Sequence, residues 1–271
     1  MIREMLLERD LPPILTMNDG RPVTPELWPE RRREMLETLE KYSYGRTPPA
    51  PERVHGEIID ETDVCAGKVR LENVRLSFET ERGCFSFPFA LAVPRRFARP
   101  PVFLHIAFRR DLPDWYVPLE EITDAGYAMA VVCYTDIVND RHFGDFSDGL
   151  AAYFGVTADR SDETWGKIGM WAYGASRVLD YLLTRGDVEA RQTAVIGHSR
   201  LGKTALWAAA QDERFYAAVS NDSGYGGAAT SKHGTGERVR DFLRVGSWDW
   251  YCENFKLFTD ELEDEKPYDQ S

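Results

Sequence analysis

Hydrophobic positions change their period as the chain proceeds. Within residues 25–42, Leu27, Met35, Leu36 and Leu39 recur at roughly helical spacing, which predicts one helix. Tyr44-Gly45-Arg46 and the run Pro48-Pro49-Ala50-Pro51 then close that segment. Over residues 54–93 the period drops to two. Val69-Leu71, Val74-Leu76-Phe78 and Phe85-Phe87-Phe89-Leu91-Val93 predict half-exposed antiparallel strands, with Gly83 marking a hairpin turn. Two unbroken apolar runs follow at 102–107 and 128–134, the pattern of strands buried on both faces of a parallel sheet. Between them residues 119–125 predict a short helix ended by Gly126. A long helix is expected at 163–184, with Ile168, Trp171, Ala175, Val178, Leu179 and Leu182 on its inner stripe. A strand at 193–196, a small-residue helix at 202–211 and a strand at 215–220 come next, and residues 261–267 read as an acidic loop. Antiparallel strands followed by alternating strand and helix predict an α/β fold. Its sheet is mostly parallel, with helices on both faces and an antiparallel N-terminal portion.

Length and composition refine this picture. At 271 residues, 43% apolar and 29% charged, the chain can bury one sizeable core. Residues 1–53, Pro-rich and too short to fold alone, are expected to form an N-terminal cap on one main domain at 54–271. The net charge of −12 disfavours nucleic acid and anionic membranes as partners. A local cluster of Arg and Lys can still bind an anionic small molecule. Cys65, Cys84, Cys133 and Cys252 lie far apart with no C-x-x-C spacing, which argues against a zinc knuckle and gives no disulfide framework. Charges interrupt the first ten residues, so no signal peptide is read there and a cytoplasmic location is expected; a secreted chain stripped of its leader would look the same.

The chemistry concentrates in Val195-Ile196-Gly197-His198-Ser199-Arg200-Leu201-Gly202-Lys203-Thr204. One interpretation is a nucleophile elbow: a buried strand ends at Gly197, the chain turns sharply at Ser199, and a helix follows. The N–H of Arg200 then lies at the helix N-terminus, able to donate to an oxyanion. The common pattern is G-x-S-x-G, whereas here Leu201 stands where the second glycine is usual. A second interpretation is a P-loop, since Gly197 to Thr204 also match G-x-x-x-x-G-K-[ST], with Lys203 on phosphates and Thr204 on magnesium. A third is a plain Gly/Ser turn between strand and helix.

The surrounding residues carry a resemblance. Gly197-His198-Ser199-Arg200-x-Gly202-Lys203 is similar to the serine elbow of the glucuronoyl esterases, carbohydrate esterase family 15. The likeness runs on through Ala205-Leu206-Trp207-Ala208-Ala209, Ser220-Asn221-Asp222-Ser223-Gly224 and Gly226-Gly227-Ala228-Ala229. Upstream it includes Trp165-Gly166-Lys167-Ile168-Gly169-Met170-Trp171 and Tyr44-Gly45-Arg46, so it covers nearly the whole chain. The resemblance implies an α/β-hydrolase fold and a serine carboxylic-ester hydrolase that cleaves uronate esters joining xylan to lignin. It casts Ser199 as nucleophile, Arg200 as oxyanion stabiliser and Asp222 as triad acid, with Lys203 and Glu237 contacting the sugar. Asp222 as a turn-capping carboxylate and Glu237 as a solvated side chain remain the plainer alternatives. No metal or organic cofactor is implied.

Triad order in this fold is serine, acid, histidine. Of His55, His105, His142, His198 and His233, only His233 follows the serine, at a point where the family usually has a basic residue. The expectation is therefore a chain that stops short of the catalytic histidine and of the last strands of the sheet, with little or no esterase activity. An acetylxylan or general carboxylesterase, a catalytically dead sugar-binding domain and a nucleotide-binding protein stay open beside it. The oligomeric state is left open as well.

Overall fold

The computed structural model describes Glu4, Leu7 and residues 9–234 and 236–269. Among these residues seven strands form one sheet in the order β1-β2-β3-β5-β4-β6-β7. β1 (Val54–Val64), β2 (Val69–Thr80) and β3 (Gly83–Pro94) make an antiparallel meander. Its second hairpin closes at the Thr80↔Gly83 pair, and Gly83 takes φ +102°, a backbone setting that L side chains rarely adopt. β4 (Pro101–Ala107), β5 (Ala128–Cys133), β6 (Glu189–His198) and β7 (Ala217–Asn221) run parallel to one another. The two portions meet where β3 pairs antiparallel with β5, Leu91 against Ala130.

The two unbroken apolar runs behave differently. Every residue of β5 is buried, as its pattern predicts. β4 instead alternates: Val102, Leu104 and Ile106 are buried while Phe103 and His105 are half-buried. One face of β4 therefore borders an open cleft, and an apolar run cannot announce which face is left uncovered. Residues 217–219 of β7 are exposed, and β7 ends the strand order.

The helices are α1 (Trp28–Leu39), α2 (Leu119–Asp124), α3 (Tyr134–Ile137), α4 (Gly149–Phe154), α5 (Lys167–Leu182), α6 (Arg200–Gln211) and α7 (Val239–Val245). α1 continues into a wider turn at Glu40–Tyr44, and the Tyr44 ring stacks on Trp207 of α6 with centroids 4.4 Å apart. Tyr44 also donates its hydroxyl to the Gly226 carbonyl at 3.0 Å, joining the N-terminal segment to the loop after β7. α5 begins at Lys167, four residues later than the spacing predicts, because Gly166 stays extended. A Cβ there would lie 2.3 Å from the Trp250 carbonyl. Every α5 residue except Asp180 is buried, so this helix is enclosed all round rather than amphipathic.

The stretch at 261–267 is not a free acidic loop. Residues Asp260–Glu265 form a 3-10 helix whose Glu263, 1% exposed, accepts from the Val239 N–H at 3.0 Å. Lys266, also buried, donates to the Tyr225 hydroxyl and to Ser231 Oγ (2.5 and 2.9 Å). Tyr268 donates to the Tyr42 carbonyl at 3.1 Å. Charge density predicted exposure, but these acids and bases are paired and drawn inward. No described helix is long and apolar enough to cross a membrane.

A buried charge pair ties α5 to the segment after α7. Lys167 Nζ meets Asp249 Oδ2 at 3.0 Å with both side chains fully enclosed, and donates also to the Arg141 carbonyl at 2.5 Å. Burial pushes the Asp249 carboxyl up, against the opposing pull of Lys167. Removing one partner strands the other charge. Asp249→Ala is expected to lower unfolding free energy by about 3–5 kcal/mol, and Lys167→Met with Asp249→Leu by less. Urea denaturation of both variants checks this.

Candidate active site

The sharp turn at Ser199 rests on two glycines. A Cβ on Gly197 would sit 2.1 Å from the Leu201 carbonyl oxygen, so only glycine admits the returning chain. Gly202 lies against the Asn221 and Gly197 carbonyls and Ser223 Cβ, which a Cβ would approach to 3.0–3.1 Å. The close approach usually carried two positions after the serine is carried here at Gly202, which accounts for Leu201. Ser199 itself takes φ 57°, ψ −124°, an unfavourable setting for a residue with a side chain. Its N–H donates to the Asn221 carbonyl at 2.9 Å and its C=O accepts from Gly202 and Lys203. These bonds hold the strained turn between β6 and α6.

The same local structure excludes a phosphate-cradling loop. Arg200, Leu201 and Gly202 are already helical. Thr204 donates its hydroxyl to the Arg200 carbonyl, and Lys203 Nζ donates to the Ser223 carbonyl at 2.5 Å. Neither side chain is presented to a nucleotide phosphate or magnesium.

Arg200 ion-pairs through Nη1 with Asp140, and its guanidinium lies 4.6 Å from the Trp250 ring centroid and 5.7 Å from that of Phe108. Its Nε is buried with no hydrogen-bond partner among the described residues. Lys203 is 4% exposed, and burial pulls its ammonium down to about 8 while Glu237 and Asp222 hold it up. Asp222 follows β7, is exposed, and takes φ +49°. Glu237 is exposed in the loop before α7. The structure thus gathers Ser199, Arg200 and Lys203 on one elbow, with Asp222 and Glu237 close enough for their charge to act on Lys203.

Among the described residues, no histidine is hydrogen-bonded to the serine hydroxyl. His198 Nδ1 accepts from the Asn221 amide at 3.1 Å. His233 Nδ1 pairs with Asp264 at 3.4 Å, and its N–H donates to the same carboxylate. Among the described residues, no side chain is hydrogen-bonded to the Ser199 hydroxyl. Beside the elbow lies a cleft of about 720 Å³, lined in part by Phe103, His105, Phe108, Met129, Ile196 and Ser199. Burial pulls the His105 imidazole down to about 4, so it is neutral at pH 7.

Sequence reasoning did not single out Asp140, Tyr134 or Phe108. Each follows the carboxyl end of a parallel strand, where ligands of α/β sheets bind, and that position was the available signal.

A strained serine between strand and helix, on a mostly parallel sheet with helices, is the arrangement of the α/β-hydrolase class. The family described as "Glucuronyl esterase, fungi" matches residues 89–271, and the chain belongs to this family. It is 32% identical to Carbohydrate esterase MZ0003 of an unknown prokaryotic organism, over 96% of this chain and 68% of that protein. It is 27% identical to the 4-O-methyl-glucuronoyl methylesterase of Podospora anserina, over 94% of this chain, and so spans half the length of that relative. For the namesake from Schizophyllum commune the figures are 28%, 96% and 62%. Among solved structures, a glucuronoyl esterase from Solibacter usitatus matches with TM-score 0.84 and 32% identity, covering 96% of this chain and 74% of that one.

The buried ammonium has a consequence for stability. A folded-state value near 8 for Lys203, against an ordinary 10.5, means the folded protein binds this proton less tightly than the unfolded chain. The cost is full below about pH 8 and fades as pH rises towards 10.5. The stability of Lys203→Met relative to wild type is therefore expected to fall by about 2–3 kcal/mol between pH 7 and pH 10. Paired denaturation curves at the two pH values check it; an unchanged gap contradicts it.

Proposed function

We propose that this chain is a serine esterase for esters of uronic acids, with Ser199 as nucleophile. The observation that carries this is the strained elbow followed at once by two cationic side chains, Arg200 and Lys203, in a protein of net charge −12. Ser199 Oγ attacks the ester carbonyl, its proton passes through water to the departing alcohol oxygen, and the carbonyl electrons move onto the oxyanion. The Arg200 N–H at the start of α6 and the Arg200 guanidinium stabilise that oxyanion. Collapse of the tetrahedral species expels the alcohol and leaves a uronyl ester on Ser199, which water then releases as uronate. Lys203 and Glu237 contact the sugar hydroxyls. Asp222, at the end of β7, takes the place of the triad acid.

Relatives named 4-O-methyl-glucuronoyl methylesterase support the uronate side of this proposal. The leaving alcohol is assigned no pocket by it.

Benzyl glucuronate ester and p-nitrophenyl acetate, each incubated with wild type and with Ser199→Ala, test the proposal. Hydrolysis that depends on Ser199 and favours the uronate ester is expected. Equal rates with and without the Ser199 hydroxyl contradict it, and preference for the acetate points to a general carboxylesterase.

A further inference from the structure

Asp140 follows α3 in the loop after β5, far from the elbow in sequence, yet it holds three donors from three segments. Its Oδ2 receives Arg200 Nη1 and, at 3.0 Å, the Tyr134 hydroxyl; its Oδ1 receives Trp250 Nε1 at 2.7 Å. The carboxylate side chain is only 7% exposed. Arg200 lies between the faces of Trp250 and Phe108, so aromatic rings bound the guanidinium while Asp140 fixes one end of it. Of the remaining N–H groups, Nε–H is buried and no described group accepts it. A buried donor without an acceptor is costly, and a guanidinium that keeps free donors at a site is retained where something else comes to meet them.

We infer that Asp140 is a positioning residue: it holds the Arg200 guanidinium against Trp250 so that its free N–H groups are set in advance for the oxyanion formed at Ser199. This inference rests on the role proposed for Arg200. Arginine carries five donors in a rigid fork, and binding one end of the fork fixes the direction of the rest. A guanidinium left to swing in solvent would reorganise in each turnover, whereas a fixed one stabilises developing charge without that cost. The carboxylate pays a partial penalty, since it also neutralises the cation. Tyr134 and Trp250 offset this by donating to the same carboxylate, drawing its negative charge towards themselves.

The test combines turnover with a readout that needs none. The Arg200 Nε–H resonance in a proton–nitrogen correlation spectrum is assigned by its loss in Arg200→Ala. In Asp140→Asn it is expected to shift and broaden, and kcat for benzyl glucuronate ester to fall about tenfold with KM changed less than about twofold. Because Asp140 acts through Arg200, Asp140→Asn should add nothing to Arg200→Ala in the double variant. A purely structural role would instead slow the double variant further by the full factor. An unmoved Nε–H resonance in Asp140→Asn, or full additivity, overturns the inference. If Ser199→Ala hydrolyses the ester as fast as wild type, it is the proposed function that has failed, and the resonance alone decides whether Asp140 orders Arg200. Should Asp140→Asn not fold, Asp140→Glu keeps the charge at a different reach, and the same shift is expected of it.

Discussion

The candidate site depends on one backbone contact, the approach of the Leu201 carbonyl to Gly197 within the van der Waals reach of any side chain. That contact lets the chain leave β6, reverse at Ser199 and begin α6 at the next residue. Ser199 carries the strain in its own φ and ψ, and a hydrogen bond from its N–H to Asn221 on the neighbouring strand keeps the turn from relaxing. Gly202 completes the geometry by admitting the Asn221 carbonyl. Because α6 starts without a spacer, Arg200 and Lys203 are brought to the helix N-terminus beside the serine. Positive charge there is unfavourable for a helix and favourable for an anion. The arrangement gives up helix stability to assemble a cationic site.

Burial of charge is the second recurring feature. Lys167, Lys203 and Lys266 are all enclosed, in a chain whose surface excess is acidic. Lys167 is matched by Asp249 and joins α5 to the segment after α7; Lys266 pins the C-terminal 3-10 turn to the loop carrying Tyr225 and Ser231. Lys203 differs from both. It has a carbonyl for a partner and only exposed carboxylates nearby, so it retains donor capacity facing the loop of Glu237. Lys167 and Lys266 organise the loops around the elbow, and in the proposed reaction Lys203 keeps donors for the sugar.

The sheet was legible from periodicity because β2 and the first half of β3 alternate and β5 is buried on both faces; β1, exposed over most of its length, does not alternate. The open face of β4 was not, since Phe103 and His105 have the same apolar or aromatic character whether covered or lining a cleft. α7 and the 3-10 turn at Asp260–Glu265 escaped notice for a different reason: their charged residues, Arg238, Glu263 and Lys266, are held by long-range partners that no local pattern encodes. At the site, the motif located Ser199, Arg200 and Lys203, and the structure places these three on one turn. Leu201 read as a departure from the usual elbow because glycine was sought at a fixed offset; the structure needs glycine wherever backbones touch, and here that is Gly202. The position of Asp140 after a parallel strand was a signal, but its bond to Arg200 was not legible, because nothing local links the two across sixty residues.

The most direct test of the central claim is a crystal structure of Ser199→Ala with benzyl glucuronate ester bound. The account predicts the ester carbonyl oxygen within hydrogen-bond distance of the Arg200 backbone N–H or its guanidinium, and sugar hydroxyls on Lys203. A ligand lying instead along Phe103 and Met129 in the apolar cleft, with its sugar remote from Lys203, would contradict it.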